Sequence, residues 1–176
     1  MKYIIVREFN CINVIISKRL KIDPLTHTKI HSRYDLISIG NGNFAWVIPQ
    51  DLMSEKSICY CIGCGSDISF DIGVIKKFGC EVHAFDPTPA SIEYCKKASV
   101  GNSKFNFHEF GVWHINDTLR FYVPFKDKQI SHSLVNIQKT DSYIYVEVKK
   151  LTDIMAQLGH KSLDLIKIDI VGAEYE

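Results

Sequence analysis

Apolar and polar positions fall into two regimes along this chain. Up to about residue 50 the pattern is loose. An apolar segment from Tyr3 to Ile16 is broken by Arg7, Glu8, Asn10 and Asn13. A polar stretch around Asp23-Pro24 and Asn41-Gly42-Asn43 follows, and then Trp46-Val47-Ile48-Pro49. This lead-in predicts a strand-like or short helical preface. From Lys56 onward the pattern is regular. The apolar run Ile58 to Ile62 predicts a short buried strand that meets a glycine turn. A helical stretch of about Ile68 to Phe78 is closed by Gly79, a residue suited to a helix C-terminus because it enters left-handed backbone freely.

A second apolar strand, Cys80 to Phe85, leads into the turn Asp86-Pro87-Thr88-Pro89 and a helix of about Ala90 to Ala98. Lys104 to Phe110 predicts a third strand, ended by Gly111. Thr118 to Val123 and Tyr143 to Val148 alternate with the period of two that marks half-exposed strands. Leu151 to Leu158 predicts a short helix stopped by Gly159, and Leu163 to Ile170 a last strand, apolar with Asp164, Lys167 and Asp169 interspersed. Short apolar strands alternating with helices predict an α/β fold: a mostly parallel, Rossmann-like sheet with helices on both faces. The expected division is a lead-in over residues 1–50 and one ligand-binding domain over 51–176.

Composition narrows the function. With 176 residues, 21 basic and 20 acidic, the chain suits one domain with a real core and lacks the basic excess of a general nucleic-acid binder. The basic pairs Lys76-Lys77, Lys96-Lys97 and Lys149-Lys150 are dispersed and read as solvated element ends. No stretch approaches the roughly 20 apolar residues of a membrane span, and the first segment lacks the pattern of a signal peptide. Six cysteines (Cys11, Cys59, Cys61, Cys64, Cys80 and Cys95) are too few for a disulfide scaffold. Cys59, Cys61 and Cys64 invite a zinc reading, but the first two lie in an apolar strand and no second ligand pair follows. Reduced thiols in a cytoplasmic protein, with no metal, are the expectation.

Chemistry concentrates at strand ends, where open α/β sheets bind ligands. Gly63 and Gly65 in Ile62-Gly63-Cys64-Gly65-Ser66-Asp67 remove two β-carbons and let the backbone lie against a ligand. Asp86 ends its strand 21 residues after Gly65, where a carboxylate can accept hydrogen bonds from a ribose diol. Asp169 sits where the last strand gives way to Gly172. Each feature alone is common in turns; their joint order and spacing point to a nucleoside-containing ligand. A dinucleotide fingerprint would place a third glycine at Ile68, so a nicotinamide oxidoreductase is disfavoured, whereas S-adenosylmethionine brings no phosphate to cradle.

The wording of the motifs carries a resemblance. Tyr60-Cys61-Ile62-Gly63-Cys64-Gly65-Ser66-Asp67-Ile68-Ser69-Phe70, then Gly79 to Pro87, then Phe107-His108-Glu109-Phe110-Gly111-Val112-Trp113, Val148 to Ile154 and Asp164 to Glu174, resembles the FkbM-like methyltransferases and among them the branch of animal methyltransferase-like proteins. The resemblance covers roughly residues 45–176. It implies that Gly63, Gly65, Ser66 and Asp67 line the methionine end of S-adenosylmethionine, that Asp86 binds the ribose, and that Glu109, Phe110 and Gly111 border the adenine. Asp169 would lie near the sulfonium and the acceptor. The implied reaction is O-methylation of a small-molecule or sugar hydroxyl.

Val171 departs from the pattern, since the family usually has an acidic residue there, and Cys61 and Cys64 are unusual around the glycine turn. His132, His114 and Asp169 are candidate bases, but a lone histidine in a polar loop is more often solvated, and no base is assigned. A full sheet of this class resembles seven strands, three of them after the one ending at Asp169. None follows here, so the domain reads as truncated, with Leu163 to Ile170 an exposed edge inviting self-association. The competing reading is a non-catalytic fragment or remnant that acts, if at all, by binding.

Overall fold

The computed structural model describes residues 3–6, 35–51, 53–123 and 140–170. Ten strands and three α-helices are placed in order. The strands are β1 (Tyr3–Val6), β2 (Leu36–Ile39), β3 (Trp46–Pro49), β4 (Ile58–Ile62), β5 (Glu81–Phe85), β6 (Phe105–His108), β7 (Gly111–Trp113), β8 (Asp117–Tyr122), β9 (Tyr143–Lys150) and β10 (Leu165–Ile168). The helices are α1 (Ser69–Phe78), α2 (Pro89–Ala98) and α3 (Leu151–Leu158). Pro89 opens α2, where its missing N–H costs nothing, and Gly79 and Gly159 close α1 and α3 in left-handed backbone.

The main sheet has the order β1-β10-β4-β5-β6, and all four pairings are parallel. Strands β4, β5 and β10 are buried on both faces, and their side chains alternate between two cores. Cys59, Cys61, Val82, Ala84 and Leu165 face α1 and the β2–β3 hairpin, with Phe70, Val74, Phe78, Ile48 and Trp46. Tyr60, Ile62, Phe85 and Ile166 face α3, with Ile154, Leu151 and Leu158. A smaller sheet, β7-β9-β8, carries the two strands whose period of two left one side exposed.

Two expectations change. The lead-in is not loose throughout, because residues 36–49 form an antiparallel hairpin whose Ile39, Trp46 and Ile48 are buried in the first core. The 163–170 strand is also not a sheet edge: β1 pairs along it, Tyr3 with Leu165 through Val6 with Ile168. A strand apolar on both faces needs two neighbours, and the apolar N-terminal segment supplies the second. The rest of that segment, with His132, Val171, Gly172 and Glu174, lies outside the described residues.

Candidate functional site

The chain runs β4, β5, β6 outward in one direction and returns to place β10 on the other side of β4. The strand order therefore reverses between β4 and β10, and the C-terminal ends of these two strands are where open α/β sheets bind their ligands. Gly63 and Asp169 meet there. A β-carbon on Gly63 would stand 2.1 Å from the backbone oxygen of Asp169, and Gly63 has a φ of +81°. Its lack of a side chain thus serves the contact between two strand ends. Gly65 is different: its φ is +55°, and a β-carbon there would meet nothing within 4 Å. Open space lies over Gly65.

Side chains from other strand ends grip the loop's peptide groups. The Cys64 and Gly65 N–H groups both donate to Oδ2 of Asp86, each at 3.0 Å. Oδ1 of Asp86 accepts from the Thr88 N–H at 2.9 Å and the Thr88 hydroxyl at 2.7 Å. Asp86 is buried, and these four donors fill its usual accepting capacity. On the carbonyl side, the Lys167 ammonium donates to the Gly63 oxygen at 3.0 Å. Asp67 turns inward to accept the Ser69 N–H at 2.8 Å at the start of α1, while Ser66 is exposed.

Glu109, Phe110 and Gly111 join β6 to β7 beyond the same sheet end. Glu109 is exposed and pairs with Lys96 at 2.5 Å. Phe110 packs against Phe85 at 5.7 Å between ring centroids and carries the Lys149 ammonium 4.2 Å above its ring. Gly111 is buried, and a β-carbon there would sit 3.0 Å from Val148. Gly63, Gly65, Asp86 and Asp169 thus converge at one place, with Glu109 to Gly111 at the next strand end. His114 stands apart from them, exposed beside Trp113.

The thiols are structural. Cys64 is buried, and a hydrogen bond with Cys95 and then desolvation hold its thiol well above the ordinary range; burial foremost does the same for Cys61. Neither is a ready thiolate at neutral pH. Among the described residues no three His, Cys, Asp or Glu side chains converge to hold a metal ion, and no helix is long and apolar enough to cross a membrane. An open recess of about 620 Å³, lined by Asp117, Glu147, Lys149, Asp153 and others, contains none of the loop residues.

Two groups escaped the sequence reading. Lys167 and Asp71 are buried charges, on β10 and α1, behind the loop. His83, His108 and His160 cluster on the α3 side of the sheet: His83 Nδ1 lies 3.0 Å from His108 Nε2, and the His83 and His160 rings meet edge to face at 4.8 Å. A charged residue inside an apolar strand, as in Leu165-Ile166-Lys167-Ile168, was the available signal for the first. The second joins residues distant in sequence and left none.

Comparison with known proteins gives the family. The methyltransferase FkbM domain matches residues 63–176, from the first glycine of the loop onward. The probable methyltransferase-like protein 24 of Rattus norvegicus is 29% identical over 130 residues, and that of Homo sapiens 30% over the same length. In each case the match covers 73% of this chain and 29% of the relative. The chain therefore spans less than a third of the length of these relatives. No solved structure matches significantly. A domain match that starts at the loop and takes in every strand end described above makes this chain a member of the FkbM methyltransferase family.

Proposed function

We propose that the crevice beyond β4 and β10 binds S-adenosylmethionine and serves O-methylation of a small-molecule or sugar hydroxyl. The observation that carries this reading is the use of the loop's N–H groups. In phosphate-binding loops successive backbone N–H groups point at the ligand. Here the Cys64 and Gly65 N–H groups are taken by Asp86, and a carboxylate stands where a phosphate would have to approach. That arrangement suits a phosphate-free, cationic cofactor, and the open space over Gly65 suits its close approach. S-adenosylmethionine supplies an electrophilic methyl group on a sulfonium.

The chain's residues would then bind and orient. Gly65 admits the methionine end, Asp86 fixes the loop against which the ribose would lie, and Asp169 lies by the acceptor. Displacement at a methyl carbon depends mostly on alignment, so positioning carries much of the effect. The five buried free thiols among the described residues suit a reducing compartment such as the cytoplasm. Because the chain matches 29% of its relatives, the alternative is a binding module without turnover. Calorimetric titration with S-adenosylmethionine and, separately, with NAD decides the cofactor: the first should bind and the second should not. Binding of NAD alone, or of neither, overturns the reading. A labelled-methyl transfer assay with sugar and phenolic acceptors then separates enzyme from binding module.

A further inference from the structure

Lys167 is the one Lys or Arg side chain buried among the described residues, at 4% exposure. Its ammonium donates to the Gly63 oxygen and lies 5.4 Å from the centroid of the Trp46 ring. Asp71, in the first turn of α1 and wholly buried, is the opposite charge that acts on it most strongly within the first core. Neither Asp71 oxygen has a full hydrogen bond, and the nearby Cys61 thiol is at best a weak donor. Burial pushes the Asp71 carboxyl up, and Lys167 pulls it back. Burial likewise works against the Lys167 charge, but Asp71 and its neighbours outweigh it and the net shift is upward.

Such a pair is poorly explained by stability. Taking two charges out of water is costly, and apolar replacements of both are often neutral or stabilising. What Lys167 does hold is the loop. Asp86 takes the N–H side of the peptides after Gly63, and Lys167 takes the carbonyl of Gly63 itself. An anion and a cation from different strands thereby fix the orientation of consecutive peptide groups.

We propose that Lys167 is a positioning residue for the cofactor loop, with Asp71 as the buried counter-charge that lets an ammonium sit at the Gly63 carbonyl. The proposal rests on the assignment of that loop to S-adenosylmethionine. Its test is the double variant Asp71→Val/Lys167→Met, which removes both charges and leaves neither unpaired, with Asp71→Asn/Lys167→Met as a second variant closer in shape. Three quantities are compared with the unaltered chain: the urea midpoint, native-state hydrogen exchange of the Cys64 and Gly65 amides, and affinity for S-adenosylmethionine by calorimetry. The expected result is an equal or higher midpoint, loop exchange about tenfold faster or more, and affinity about tenfold weaker. Unchanged exchange and affinity in a folded variant overturn the proposal, as does loss of the fold in both variants, which would make the pair a support of the core. If the unaltered chain binds no S-adenosylmethionine, the cofactor assignment fails, while the exchange comparison still decides whether Lys167 holds the loop.

Discussion

Asp86 stands out in the sequence from its place after an apolar strand, 21 positions beyond Gly65. Its hold on the loop was not legible, because the donors it accepts are set by tertiary geometry. Asp86→Ala should therefore affect more than a ligand. Orphaning the buried Cys64 N–H and Thr88 groups should lower stability by about 1–3 kcal/mol, and the affinity for S-adenosylmethionine should fall roughly ten- to a hundredfold. Urea denaturation and calorimetry measure the two, and a stability loss with full affinity would leave Asp86 a purely structural residue. The two glycines separate in the same way. Gly63→Ala drives a β-carbon into the Asp169 backbone and should cost well over the roughly 1–2 kcal/mol of left-handed backbone alone. Gly65→Ala meets open space and should cost only about that backbone term, while Gly65→Val obstructs the ligand. Equal destabilisation by the two alanines would show that Gly63 and Asp169 are not in contact.

Among the elements, the βαβ units from β4 to β6 were readable because strand, glycine, helix and glycine follow one another locally. The β2–β3 hairpin was missed: its strands are four residues each, too short for a period to emerge. The histidine cluster on β5, β6 and the end of α3 makes the layer between sheet and helix sensitive to acid. Burial, partly offset by Glu81, lowers His83 to about 4, with His108 and His160 also opposing its charge; burial first, and then Lys149, lowers His108. Tyr60, raised to about 12 by burial and Glu81, stays a neutral partner to His160 at 2.8 Å. An unfolded imidazole titrates near 6.5. The core accepts the neutral ring, so the His83 contribution is full above about pH 6.5 and is lost as pH falls toward 4, by at most about 3 kcal/mol. Urea midpoints between pH 7.5 and 4.5 should fall mainly below 6.5, and His83→Leu should flatten that slope. A flat profile in the unaltered chain would refute the cluster's role.

For the whole molecule, the sheet's composition followed from the pattern, but its strand order did not, because nothing local says that β1 joins β10. That pairing protects an apolar strand from other chains. Proline at Ile5, which faces Lys167 in the register, is poorly tolerated within a ladder and should loosen β1 and free the β10 edge. Concentration-dependent self-association in sedimentation should then appear or grow, and a variant no more associated than the unaltered chain would mean that the edge is protected by something else.

The same pairing has a kinetic side. Tyr3 meets Leu165, 162 positions further on, whereas β4 meets β5 only 23 positions on, as Ile58 does Glu81. Closing a long loop must precede the reward of its contacts, so β4 to β6 can condense early and β1 must dock late. During synthesis β1 is made before β4, β5 and β6 and waits for β10, carrying an unpaired ladder edge through the interval in which those strands are laid down. That interval is when this chain is most exposed to misassembly.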